Sequence, residues 1–93
     1  MPYTENQTPR FLRSYKRLSN RELGFLHAAM DQLLKRPTIG VEKHGDLSNL
    51  FVHKFKVGKE EWLLGYTFNI TKKIITWEAI GRHENFYRDI KKS

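Results

Sequence analysis

Glu61-Trp62-Leu63-Leu64-Gly65-Tyr66-Thr67-Phe68-Asn69 is the stretch whose alternation decides the fold. Side chains of a strand point to opposite faces in turn, so Trp62, Leu64, Tyr66 and Phe68 share one face and Leu63, Gly65 and Thr67 the other. So bulky an aromatic face must be covered. Two further strand-like segments flank it, at Leu50–Val57 and Lys73–Ile80. Gly58-Lys59 and Thr71-Lys72 mark turns too short for anything but antiparallel neighbours.

The cover comes from the N-terminal third. Thr8-Pro9 reads as a helix start, with Thr8 as N-cap and Pro9 in the first turn, followed by Phe11, Leu12, Tyr15 and Leu18. Ser19-Asn20-Arg21-Glu22 is a capping-box pattern. Leu23, Leu26, Met30, Leu33 and Leu34 then form one apolar stripe, which Pro37 ends. Residues 37–48, with Pro37, Gly40, Gly45 and Asp46, read as a loop. Tyr3–Gln7 has room for a short first strand, against which Asn6 and Gln7 speak. The expectation is an α+β fold: an N-terminal helical hairpin on one face of a small antiparallel β-sheet, the other face open, and a short C-terminal helix. Residues 1–93 should form a single domain.

Seventeen Lys and Arg against ten Asp and Glu give a formal charge of +7, which favours polyanionic partners. The basic residues are spread along the chain, so the positive field belongs to a folded surface rather than a tail. No apolar run is long enough to span a bilayer, and the N-terminus lacks a secretory-signal layout. No membrane association is expected. With no cysteine, disulfides and thiolate metal sites are excluded, which fits a reducing cytoplasm.

Gly81-Arg82-His83-Glu84-Asn85-Phe86-Tyr87-Arg88-Asp89-Ile90 concentrates an imidazole, a phenol, carboxylates and two guanidinium groups at the end of the sheet. The plainer reading is an amphipathic helix with Phe86, Tyr87 and Ile90 packed down and the charges in water. Lys54 and Lys56 lie about 7 Å apart on one strand face, either as a phosphate-binding pair or as solvated edge charges. His53 falls on the opposite, apolar face with Phe51, Phe55 and Val57, where a lone histidine is usually structural. His27 and His44 have no ligand partners at metal-site spacing, so neither a metal nor a cofactor is expected.

A basic open face ending in a His/Tyr/Arg cluster suits RNA cleavage by the 2′-hydroxyl. That reaction needs a base, cations for the developing charge and an acid for the leaving oxygen. Imidazole exchanges protons near neutral pH, so His83 is the candidate acid or base. Tyr87 would stack or orient, Lys54, Lys56 and Arg82 would stabilise charge, Arg88 would add to RNA binding, and Glu61 and Glu84 would position or activate.

From Arg10 to Lys91 the chain resembles bacterial toxins of the RelE/ParE superfamily, the toxic halves of type II toxin–antitoxin modules. The similarity is most specific at Gly45-Asp46-Leu47, across Val52-His53-Lys54-Phe55-Lys56 through Trp62-Leu63-Leu64-Gly65-Tyr66, and at Ile80-Gly81-Arg82-His83-Glu84-Asn85-Phe86-Tyr87. It implies a small cytoplasmic endoribonuclease that cuts mRNA, usually on the ribosome, and is silenced by a cognate antitoxin. The strand lysines of RelE-type enzymes correspond to Lys54 and Lys56, and their C-terminal basic and aromatic residues to His83 and Tyr87. YafQ-type enzymes place a histidine at His83, an aromatic near Tyr87 and an acidic residue where Glu61 stands. The chain departs at Leu63, where RelE carries an arginine. That departure keeps a ParE-like reading open, a non-enzymatic toxin that binds DNA gyrase, and beside it a basic domain that only binds RNA or protein.

Overall fold

The computed structural model describes residues 3–43 and 49–92. The elements follow as β1 (Thr4–Gln7), α1 (Pro9–Tyr15), α2 (Asn20–Lys35), a 3₁₀ turn (Pro37–Ile39), β2 (Val41–Glu42), β3 (Phe51–Val57), β4 (Glu60–Asn69), β5 (Ile74–Arg82) and α3 (His83–Lys92). The strands form a sheet of order β1-β5-β4-β3-β2.

Both helix starts use the expected caps. The Thr8 hydroxyl accepts from the Phe11 amide, and Ser19 and Glu22 close the capping box. The α1–α2 hairpin lies on one sheet face. Phe11, Leu26, Met30 and Leu33 bury themselves against Val57, Trp62, Leu64, Tyr66, Ile75, Trp77 and Ile80. Each fully buried side chain of this size contributes about 1.5–3 kcal/mol. Phe68, at the far end of β4, is only partly buried at the edge of this core.

Four features differ from the sequence reading. Thr4–Gln7 is a strand, and it pairs with β5 in parallel, so the sheet is mixed. The Glu5 carboxylate fastens it by accepting from the Trp77 indole at 2.9 Å, which the polar composition of the segment does not reveal. Val41–Glu42, within the expected loop, pairs with β3. The second sheet face is not open along its length. Phe86 and Ile90 of α3 pack on Leu50, Val52, Leu63 and Ala79 to make a smaller second core.

The fourth difference lies in β5. The strand starts at Ile74 and runs on to Arg82, and Gly65 pairs with Ala79 while the next residue, Tyr66, pairs with Trp77. Glu78 is therefore an extra residue, a β-bulge that inverts the alternation beyond it. Its carbonyl does not go unpaired. It accepts from the Thr8 hydroxyl at 3.0 Å and from Arg10 Nε at 3.2 Å, so the start of α1 satisfies the bulge.

Candidate functional site

β3, β4, the segment after α2 and α3 converge on a cleft of about 460 Å³. β2 covers only Phe51 and Val52 of β3, leaving the strand edge beyond them to border the cleft. Val52 and Leu63 form the floor, Ile39, Gly40, Val41 and Lys43 one wall, and His83 and Tyr87 the other, with His53 and Lys54 between.

Lys54 and Leu63 are directly opposed across β3 and β4. Glu61, two residues before Leu63 on the same face, lies 4.0 Å from Lys54 Nζ and 4.0 Å from His83 Nε2. One carboxylate oxygen thus stands between a lysine of β3 and the first residue of α3. His83 is half exposed. Tyr87, one turn further on, sets its ring edge-on to Phe86 at 5.1 Å and takes the Lys43 ammonium over its face at 5.5 Å. Both contacts hold the phenol at the cleft wall.

The other expected site residues are distributed around this centre. Lys56 is exposed and pairs in register with Glu61, one pleat beyond the cleft. Arg82 is separated from the lysines. The bulge at Glu78 turns it to the hairpin face, where it pairs with Glu60 at 3.5 Å and lies 6.0 Å over the Trp62 ring. A smaller hollow of about 260 Å³, lined by Glu60, Glu61, Arg82, His83 and Glu84, meets the main cleft at His83. Arg88 is exposed on α3 and donates to Asn85 at 2.8 Å.

His53 stacks on Phe55, and burial lowers its pKa from 6.5. His27 is tied to the Tyr15 hydroxyl at 2.7 Å. His44 and Gly45-Asp46-Leu47 lie outside the described residues. Among the described residues no three His, Asp or Glu side chains are grouped as a metal would require, and no helix is long and apolar enough to cross a membrane. Sequence reasoning missed Lys43. It stands in a segment with no strand periodicity, and only the fold brings it to Tyr87.

Residues 6–91 match the family model for the ParE-like toxin of type II bacterial toxin–antitoxin systems. The chain belongs to this family. It is a toxin of the RelE fold, as comparison with solved structures shows. A double arginine-to-alanine mutant of Escherichia coli RelE in the free state superposes with a TM-score of 0.75 at 17% identity, covering 99% of this chain and 93% of that one. The RelBE2 toxin–antitoxin complex of Mycobacterium tuberculosis gives 0.74 at 18% identity, covering 89% and 100%. The intact E. coli RelBE complex gives 0.71 at 18%, covering 85% and 94%. No curated protein matches the toxin by sequence.

Proposed function

We propose that the toxin is an endoribonuclease that cleaves mRNA, acting at the ribosome in the cytoplasm, and that a cognate antitoxin silences it. The observation that carries the reading is the placement of Glu61 between Lys54 and His83, two residues that line one cleft with Tyr87. The solved structures of similar fold include toxin–antitoxin complexes, which supports the antitoxin as partner.

In this reaction the 2′-oxygen forms a bond to the adjacent phosphorus and the bond to the 5′-oxygen breaks. One proton leaves the attacking hydroxyl and one must reach the leaving oxygen. His83 performs one of these transfers, worth about 10²- to 10⁴-fold. Lys54 stabilises the charge on the phosphorane oxygens. Glu61 orients both groups, and Tyr87 offers its ring to a nucleobase, a contact worth about 1–3 kcal/mol. Lys56 and Arg88 extend the binding surface, and Glu84 and Arg82 border His83 from the smaller hollow. All of these groups come from the chain itself, so the mechanism asks for no metal.

A second reading is favoured by Leu63. It is 3% exposed and opposes Lys54, where a RelE-type enzyme would hold an arginine. With that cation absent and a ParE-like family model matched, the cleft could serve binding alone, with gyrase as the target. A translating extract separates the two. Cleaved mRNA that disappears with His83→Ala supports the nuclease, and intact mRNA with blocked gyrase supercoiling supports the second reading.

A further inference from the structure

The cleft wall formed by residues 39–43 is fixed from beneath. Tyr66 is fully buried, yet its hydroxyl donates to the Pro37 carbonyl at 2.6 Å and accepts from the Gly40 amide at 3.0 Å. Gly40 sits so close to that hydroxyl that a Cβ there would overlap it. Three residues on, the Lys43 amide donates to the Leu50 carbonyl at 2.8 Å. The backbone from Gly40 to Lys43 is therefore held at both ends, and the Lys43 side chain reaches the cleft from a set position. Its ammonium lies over Tyr87 and lines the same cleft as Lys54 and His83.

A cation beside a stacking ring, in one cleft with a second lysine, can hold the phosphate next to a stacked base. We infer that Lys43 is a further RNA-contacting residue of this cleft, binding a backbone phosphate that flanks the nucleotide on Tyr87, and that the buried Tyr66 hydroxyl is the group that positions it. This rests on the nuclease reading for the identity of the polyanion.

The test is equilibrium binding of a short single-stranded RNA carrying 2′-O-methyl groups, which cannot be cut, measured against salt. Lys43→Ala should weaken binding to every RNA sequence alike and flatten the salt slope by about 0.7, one single-strand phosphate contact. Lys43→Arg should keep the parent slope, as should Lys59→Ala in the β3–β4 turn. Tyr66→Phe should give the slope of Lys43→Ala, and the double variant should go no further. Amide hydrogen exchange on the parent adds an independent check, because the Gly40 amide should be protected. A parent slope for Lys43→Ala overturns the assignment. An unprotected Gly40, or parent binding by Tyr66→Phe, overturns the role of the hydroxyl. If the parent binds no RNA, the nuclease reading itself falls, an outcome distinct from RNA binding that ignores Lys43.

Discussion

The guanidinium of Arg82 lies over the Trp62 ring at 6.0 Å, on the opposite sheet face from Lys54, although the next residue, His83, is 4.0 Å from the Glu61 carboxylate that also faces Lys54. Adjacent residues in a sequence motif are thus divided between the two sides of the sheet. The extra residue at Glu78 is the cause, since it reverses which β5 side chains meet the hairpin.

Arg82→Ala should therefore disturb RNA binding much less than Lys54→Ala does. It breaks an exposed pair with Glu60, worth about 0–1 kcal/mol, and uncovers part of Trp62. Salt-dependent RNA binding of the two variants checks this. An equal loss in both would place Arg82 on the bound RNA.

Glu61→Gln keeps the side-chain shape and removes the charge between Lys54 and His83. RNA binding should tighten, because one anion has left a cationic cleft, while turnover falls by about tenfold to a hundredfold as the two groups lose their common orienting partner. Separate measurement of Kd and single-turnover rate shows whether the two move in opposite directions. A parallel loss of both would mean that Glu61 serves folding.

Gly65 gives Phe86 its seat. A Cβ at residue 65 would come within 2.9 Å of Phe86 Cζ and 3.4 Å of Leu50 Cδ1. Gly65→Ala should destabilise the toxin by about 1–3 kcal/mol through overpacking, and its effect should centre on α3, which carries His83 and Tyr87. Urea denaturation gives the first quantity and amide exchange of the α3 backbone the second. Unchanged α3 protection would count against this account.

Leu63→Arg puts a guanidinium into the floor of the cleft, opposite Lys54. Under the nuclease reading, mRNA cleavage should rise by about 10²-fold, the worth of one well-placed charge-stabilising donor. Stability should fall by about 0.5–3 kcal/mol, since Leu63 is part of the second core. A folded variant without added cleavage would favour the binding-only toxin.

A half-buried imidazole and a buried phenol make stability depend on pH. Burial lowers the His53 pKa from 6.5, so the unfolded chain takes up more protons, and stability held above about pH 6.5 declines as pH falls towards the folded value. Burial raises the Tyr66 pKa from 10.0, against the opposing hydrogen bond from Gly40. Its contribution is complete below about pH 10 and is lost as pH rises through the folded value. Denaturation midpoints across pH should show His53→Phe flattening the acid limb and Tyr66→Phe the alkaline one.

Local chemistry was enough to read both helices, their caps and β3, β4 and β5, because each signal lies within a few residues. Thr8 bonds Phe11, Ser19 bonds Glu22, and the alternation from Trp62 to Phe68 chooses its own buried face. Alternation within β3 likewise divided Lys54, opposite Leu63 of the second core, from His53, opposite Leu64 of the first. Relationships that span the chain were decided only by the tertiary structure. β1 is a strand because it pairs with Ile74–Trp77 of β5, where Glu5 also meets the Trp77 indole 72 residues away, and no local propensity records that pairing. The bulge at Glu78 is stabilised by Thr8 and Arg10 from the other end of the chain, so the face on which Arg82 emerges could not be counted from β5 alone. Lys43 enters the cleft because a buried hydroxyl 26 residues beyond Gly40 holds its segment in place. Periodicity reports which side of its own element a residue occupies; which elements then face one another depends on packing that the full chain completes.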